Sequence, residues 1–478
     1  MRTYKNYALL AATILVVSSC KLTQPVQHQQ AIKTPATYAG QTDSTGIGEI
    51  KRSVFFTDKK LVALIDTAIQ NNLDLKMAVQ RIEMARSNVL FAKGALLPTV
   101  SVEVSGGGRK FGDYTMDGVG NYDTNFSPNI DSDRRLPAPF MPDYFAGLRS
   151  SWEVDIWGKL KTQRRAAYTR FLATDKARQA ITTSLVAQVA SLYYELLNLD
   201  AELNIIKKNI ALQQTAVETI GIQKEAGRAN ELAVRQFRAQ LLNTQALEID
   251  INQRIIATEN QLNLLLGRFP QSISRGNTLE QVFPPQIQAG IPSQMLRQRP
   301  DVQQAELEML ANYNDQQAAR LAFLPSLNIT AMLGFNAFKS NLIFNPGSIA
   351  YNAIGGLAAP LINRKALKAG QNRAEATSLE SLYNYNKSIL TGFQEVSTSL
   401  NKIENSRKIT EFKREEVTVL QQAVATSRDL FLTGYASYLE IIMAQRSVLE
   451  AEITLTNVQT DQYLALVELY RSVGGGWE

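Results

Sequence analysis

The sequence predicts a mostly helical chain built as two tandem repeats, each with long coiled-coil helices and one pair of strands. Three observations predict it: a seven-residue apolar beat, a self-match at a fixed offset, and period-two apolar runs that twice follow the same Leu-Pro joint. The elements are taken from the N-terminus onward.

Arg2 and Lys5 precede the apolar run YALLAATILVV (residues 7–17), followed by Ser18, Ser19 and Cys20. A basic start, an apolar stretch and small residues before a cut describe a secretory signal peptide over residues 1–19. The run is shorter than the roughly 20 residues a membrane-spanning helix needs. Cys20 sits where a bacterial lipobox places the cysteine that becomes the lipidated first residue. The alternative is an incidental cysteine at a Ser-Ser cleavage site. Lys21 follows it, which by resemblance to bacterial lipoproteins favours the outer membrane. Residues 20–57 are rich in Gln, Thr, Pro and Gly, and read as a lipidated tail and equatorial segment.

The heptad beat is clearest at Leu185, Val189, Leu192, Leu196, Leu199, Leu203, Ile206 and Ile210, with steps of four and three. Such a seam favours helices packed as a coiled coil. The stretch from Leu160 to Ala226 has no proline, so a helix there would reach on the order of 100 Å. Ile389, Phe393, Val396, Leu400 and Ile403 repeat the beat. Ala177, Ala180, Ala187 and Ala190 leave other faces narrow enough for a second neighbour.

One constant shift of the sequence against itself, without a gap, places Asp74 on Asp301, Ala92 on Ala319, Pro98 on Pro325 and Gly107 on Gly334. A second, slightly smaller shift places Leu160 on Leu367, Gly227 on Gly434 and Gly267 on Gly474. The first copy therefore carries extra residues. They must fall between Gly107 and Leu160, where it is polar and loop-like. Each copy reads helix, Leu-Pro, strand, loop, strand, long helix, turn, long helix. Pro98 and Pro325 mark the helix-to-strand joints, because the residue before proline disfavours the helical region. Alternation follows at Val100, Val102 and Val104, at Leu148, Trp152, Val154 and Ile156, and in copy two at Leu327, Ile329, Ala331, Leu333 and Phe335, then Ile349, Tyr351, Ala353 and Leu357.

After residue 19 no apolar run reaches about 18 residues, so a helical span is not predicted. A sheet in a bilayer must close on itself, and four strands are too few. Either the strands form a small soluble sheet, or three chains share one twelve-stranded barrel.

Composition narrows the function. The chain has 478 residues and a net charge of +6, too small and too dispersed to argue for nucleic acid. It has one cysteine, Cys20, and one histidine, His28. A Cys/His metal cluster within one chain is impossible. A Ser-His-Asp triad or a Cys-His pair would have to recruit His28 from the polar tail. No cofactor motif is found. GGGRKFG (residues 106–112) lacks the P-loop spacing and reads as a loop.

Five segments carry a resemblance. They are NNLDLKMAVQRIEMARSNVLFAKGALLP (71–98), SWEVDIWGKLK (151–161), IPSQMLRQRPDVQQAE (291–306) with Arg299-Pro300-Asp301 at its centre, GYASYLEIIMAQR (434–446), and the closing GGGWE. In this order they resemble the outer-membrane efflux channel family, the TolC/NodT-type outer membrane factors. The resemblance implies a homotrimer with a twelve-stranded outer-membrane barrel continuous with a periplasmic helical tunnel. It implies no enzyme but a passive exit duct for small molecules such as drugs and toxic compounds. An inner-membrane pump would deliver these through a periplasmic adaptor. Protein secretion of type I is the alternative cargo, and a non-channel surface coiled-coil scaffold the alternative class.

On this reading the first repeat covers residues 58–267, with a strand hairpin at about 98–157 and long helices at 158–267. An equatorial linker covers 268–292. The second repeat covers 293–474, with its hairpin at about 325–361 and helices at 362–472, before a tail at 475–478. The turns Gly227-Arg228-Ala229-Asn230 and Gly434-Tyr435-Ala436-Ser437 would form the periplasmic tip where an adaptor docks; they read equally as two helix caps. Where many members have Leu-Asp-Ala-Gln-Arg, this chain has Ile442-Met443-Ala444-Gln445-Arg446. Glu440, three residues before Met443, then becomes the candidate entrance-gate carboxylate, with Glu231 of similar standing and Arg446 as a pairing cation. Three copies of Glu440 around an axis would favour cations and could hold a divalent ion; the plainer reading is an exposed tip glutamate.

Overall fold

The computed structural model describes residues 52–136, 140–276, 298–360 and 364–477, together with Pro35. Cys20, His28 and the linker residues 277–297 lie outside the described residues. A one-turn helix α1 (Arg52–Phe55) leads to α2 (Lys59–Asn71) and α3 (Leu73–Gly94). Asn72 separates α2 from α3 and caps the second, its Oδ1 accepting the Leu75 N–H at 3.0 Å. The first hairpin pairs β1 (Thr99–Arg109) with β2 (Met141–Val154), and a short helix α4 (Met116–Phe126) stands between them. Then come α5 (Lys159–Glu225), α6 (Glu231–Leu265) and α7 (Pro300–Leu321). The second hairpin is β3 (Ser326–Ala337) with β4 (Ile349–Ala358), followed by α8 (Arg364–Leu432) and α9 (Tyr438–Ser472).

The repeat is visible to the residue. Helices α3 and α7 end at the equivalent residues Gly94 and Leu321, and β1 and β3 begin at the equivalent residues Thr99 and Ser326. Both joints close with the same two turns: Leu96 and Leu97 donate to the Lys93 and Gly94 carbonyls, as Phe323 and Leu324 donate to Arg320 and Leu321. The indoles of the SWEVDIWGKLK segment clamp both joints. Trp152 Nε1 donates to the Leu96 carbonyl at 3.0 Å and Trp157 Nε1 to the Pro325 carbonyl at 2.7 Å. Beyond them, Asp155 accepts the Leu160 and Lys161 N–H groups at 2.9 and 2.8 Å and starts α5.

Helix α5 has 67 residues and α8 has 69, each about 100 Å long. α5 packs against α3, α6, α7 and α9, while α8 packs against α7 and α9. The heptad seam of α5 is the spine of the main core: Val189, Leu196 and Leu199 are fully buried, and Leu192 and Leu203 pack against them. From copy two, Val396, Phe393, Leu400 and Ile403 join the same cluster. Inside this core lies a polar knot. Glu202, 2% exposed, accepts from Asn198 Nδ2 at 2.9 Å; Asn198 also meets Asn457 and Thr460 of α9, and Arg254 of α6 lies 3.5 Å from the carboxylate. Burial pushes the Glu202 carboxyl above its usual range, against the pull of Arg254.

The four strands form one antiparallel sheet in the order β1-β2-β3-β4. Two features differ from expectation. GGGRKFG is not wholly loop: Gly106, Gly107, Gly108 and Arg109 extend β1. They continue the ladder with β2, pairing with Tyr144, Asp143, Pro142 and Met141. Two of the glycines make room for rings, since a Cβ on Gly106 would lie 3.2 Å from the Tyr144 ring and one on Gly108 1.9 Å from the Phe140 ring. The extra residues of the first copy do fall between β1 and β2, but they contain α4. Thr115 caps this helix, its Oγ1 accepting the Gly118 N–H at 3.1 Å. Its polar, glycine-containing composition hid it. Ile156, read as part of the strand alternation, lies past the end of β2 in the turn that carries Asp155.

Candidate functional site

Two regions can do work in this chain: the sheet, and the far end of the four long helices. The sheet is two-faced. Strand register places Val102 opposite Leu148, Leu148 opposite Leu333 and Leu333 opposite Tyr351, so these four side chains share one face. Val100, Val104, Trp152, Ile329, Phe335, Ile349 and Leu357 lie on it too. It is apolar and bare, with Val102 77% and Tyr351 81% exposed. The opposite face carries Ser101, Glu103, Ser105, Arg149, Ser151, Asn328, Thr330, Asn336 and Asn352. Among the described residues, β1 and β4 each pair on one side only. A sheet that is apolar on one face, polar on the other and unpaired at both edges is built to border lipid on the first and water on the second, once its edges are met. Strands of 10–14 residues, tilted as in barrels, are long enough to span the roughly 25 Å apolar band of an outer-membrane barrel.

At the other end the long helices turn. Gly227 has φ 73° and Gly434 has φ 81°. In each turn the glycine N–H bonds three residues back and the next N–H five back: Gly227 to Lys224 and Arg228 to Gln223, Gly434 to Phe431 and Tyr435 to Leu430. This is a Schellman cap, which needs a left-handed residue and so selects glycine. The next helices are capped equivalently. Asn230 Oδ1 accepts the Ala233 N–H at 2.9 Å, and Ser437 Oγ accepts the Leu439 N–H at 3.2 Å. Both turns therefore carry the cap geometry read from the sequence. They also meet: Ile220, Ala233, Phe237 and Ile441 form a small buried cluster, with Ala229 and Tyr438 packed against it. Beside it is a cavity of about 360 Å³, lined by Gln213, Ile220, Phe237, Arg428, Phe431 and Ile441 among others. Gln213 is 2% exposed, and neither amide atom has a partner among the described residues.

The three gate candidates differ. Glu231 is paired twice within the chain, with Lys224 at 2.5 Å and Arg235 at 3.0 Å, and the Lys224 hydrogen bond holds its carboxyl below the usual range. Glu440 accepts from the Oγ of Ser437, the N-cap of α9, at 2.5 Å, and this bond holds its carboxyl low. Among the described residues no ion pair within the chain neutralises Glu440, and none engages Arg446, which is exposed on α9. Pro98 and Pro325 stand at the two joints, immediately before β1 and β3. Cys20 lies outside the described residues.

Sequence reasoning did not find the fasteners that close each repeat. Arg299 is 3% exposed; it ion-pairs with Asp301 and with Glu395 of α8, both at 2.6 Å, and donates to the Ser472 carbonyl at the end of α9 at 2.9 Å. Burial alone would raise Asp301, but Arg299 overcomes it and holds the carboxyl below its ordinary value. The Arg-Pro-Asp triplet was the signal; its partners on α8 and α9 stand far along the chain.

This geometry defines the class: a subunit of an outer-membrane channel with a helical periplasmic extension. The match to protein families is to the outer membrane efflux protein model, over residues 64–268 and 291–475. The chain belongs to that family, and the two matched segments are the two repeats. It is 29% identical over 482 residues to the solvent efflux pump outer membrane protein SrpC of Pseudomonas putida, covering 99% of this chain and 98% of that one. It is 29% identical over 431 residues to the cation efflux system protein CusC of Escherichia coli, covering 89% and 88%. It is 26% identical over 480 residues to the probable outer membrane lipoprotein SilC of Salmonella typhimurium, covering 99% of each. Among solved structures, a membrane protein from Pseudomonas aeruginosa superposes with a TM-score of 0.83 at 25% identity, over 94% of this chain and 98% of that one. CusC superposes at 0.81 and 25% identity, over 95% and 99%. The fold is thus the family's: mostly helical, in two tandem repeats, with strands for a membrane β-barrel and long helices for a tunnel. The chain is an outer-membrane component of an efflux system.

Proposed function

We propose that three copies of this chain close one twelve-stranded barrel and a continuous helical tunnel. The assembly acts as the passive exit duct for small molecules brought by an inner-membrane pump through a periplasmic adaptor. The observation that carries this is the two-faced sheet with an unpaired edge on β1 and another on β4. Four strands cannot close alone, and open edges are not tolerated in lipid. The helices inherit the same edges, since α3 feeds β1 and β4 feeds α8. The chain needs no chemistry of its own, because the pump supplies the energy; we read it as no enzyme. Lipidation of Cys20 anchors the N-terminus to the outer membrane. The adaptor docks at the two tip turns, where Arg228 and Tyr435 are exposed.

Purified mature protein in detergent tests the reading. A mass of three chains, with conductance in planar bilayers, is the expected result. A stable monomer without conductance refutes it and leaves a surface scaffold. Cys20→Ser is expected to abolish incorporation of labelled palmitate. Photocrosslinkers at Arg228 and Tyr435 are expected to capture the adaptor, and capture from the Val102 face instead would reject tip docking.

A further inference from the structure

Between its rims, the polar face of the sheet carries two charges among the described residues, Glu103 on β1 and Arg149 on β2. Asp143 and Arg109 lie at one end of the strands and Glu153 at the other. The rest of this face is Ser, Thr, Asn, Gly, Ala and a few apolar side chains. The two charges are not scattered. In the register Ser101 faces Arg149 and Glu103 faces Gly147, so the two side chains meet on the diagonal. Arg149 Nε lies 2.5 Å from Glu103 Oε2 and Nη2 lies 3.2 Å from Oε1, a two-point contact.

The guanidinium is also braced from the side. Its Cζ lies 5.9 Å from the centroid of the Phe145 ring. Phe145, 7% exposed, is the buried aromatic of this face. It lies against Gly147, where an added Cβ would come within 3.0 Å of the ring and 2.5 Å of the Gly334 backbone. The facing glycines Gly147 and Gly334 thus leave a recess that Phe145 fills. Phe145 and Glu103 together fix where the Arg149 charge sits. Both members of the pair keep an exposed side: Arg149 is 54% and Glu103 35% accessible.

We propose that the Glu103–Arg149 pair sets the charge balance of the barrel lumen. Paired, the two charges cancel along the middle of the wall, so this section passes solutes of either sign without sorting them. The inference rests on the channel reading above. In a threefold assembly each substitution acts three times at one height, where a ring of like charge governs ion preference.

The test is reversal potential in planar bilayers under a salt gradient, kept at low ionic strength because screening shortens the reach of wall charges. Arg149→Gln leaves three lone carboxylates and is expected to shift the cation-to-anion permeability ratio toward cations, by about twofold or more. Glu103→Gln is expected to shift it toward anions by a similar factor. The double variant Glu103→Gln/Arg149→Gln is expected to return to the wild-type ratio, and Arg149→Lys to stay near it. A role confined to clipping β1 to β2 would change the heat resistance of the trimer without moving the reversal potential. Conducting single variants with the wild-type ratio overturn this inference and leave the channel reading intact. Wild-type protein that does not conduct overturns the channel reading, and this inference falls with it.

Discussion

Asn72 and Arg299 occupy the same place in the two repeats and make the same bond. Asn72 Nδ2 donates to the Leu265 carbonyl at 3.0 Å, and Arg299 Nη1 donates to the Ser472 carbonyl at 2.9 Å. The two acceptors are themselves equivalent, Leu265 ending α6 and Ser472 ending α9. Each repeat is therefore closed by tying its entry to its exit. The second copy has turned a neutral amide into a buried cation with two carboxylate partners.

Arg299→Ala removes the cation from a site where Glu395 is also half-shielded, and is expected to cost about 2–3 kcal/mol. Asn72→Ala is expected to cost about 1 kcal/mol. Thermal unfolding of both variants against wild type checks the order. The Arg299 contribution depends on acid. Asp301 has its folded pKa depressed, so its stabilisation is complete above the ordinary carboxylate range, about pH 4, and is lost as pH falls through the lower folded value. The gap between wild type and Arg299→Ala is expected to narrow in that acid window; a constant gap would mean the pair is not ionised as argued.

The four glycine caps separate into two kinds. A Cβ on Gly434 or Gly227 meets nothing within 4 Å, while one on Gly474 lies 2.6 Å from the Gln298 carbonyl carbon and one on Gly267 lies 2.6 Å from the Asn71 carbonyl oxygen. All four have positive φ. Gly434→Ala is expected to carry only backbone strain, about 1 kcal/mol. Gly474→Ala and Gly267→Ala add a backbone clash and are expected to lower the melting temperature further. Equal losses at all four positions would reject the distinction.

Glu202 is a buried acid whose folded pKa is raised, the opposite sign from Asp301. The native state holds its proton more tightly, so stability falls as pH rises above the ordinary glutamate value of about 4.3. Glu202→Gln keeps the contact with Asn198 without the charge. It is expected to raise the melting temperature at neutral pH and to change little below pH 4 or so. A loss of stability at neutral pH would show that the Arg254 contact outweighs desolvation.

Glu440 is bonded to the Ser437 cap of α9 and has no cation partner within the chain among the described residues, unlike Glu231. Glu440→Ala is expected to reduce cation preference at the tunnel entrance, while Glu231→Ala, which releases Lys224 and Arg235, is expected to do so less. Single-channel selectivity separates the two. If Glu440→Ala leaves selectivity and leak unchanged, the carboxylate serves the helix cap alone.

Local order was written in the sequence. Heptad spacing along α5, the turn glycines Gly227 and Gly434, and the alternation after Pro98 and Pro325 depend on neighbours within a few turns, so the repeat, the long helices and the four strands were all legible there. Family resemblance then pointed to a duct. What the sequence could not carry is which distant residues meet. The strand character of Gly106 to Gly108 depends on pairing with Tyr144, Asp143 and Pro142 across the hairpin. The partners of Arg299 lie on α8 and α9, and the meeting of Glu103 with Arg149 depends on strand register. Periodicity reports a face and a spacing; only tertiary pairing decides what that face is set against, because contact energy is a property of two segments and the chain writes them far apart.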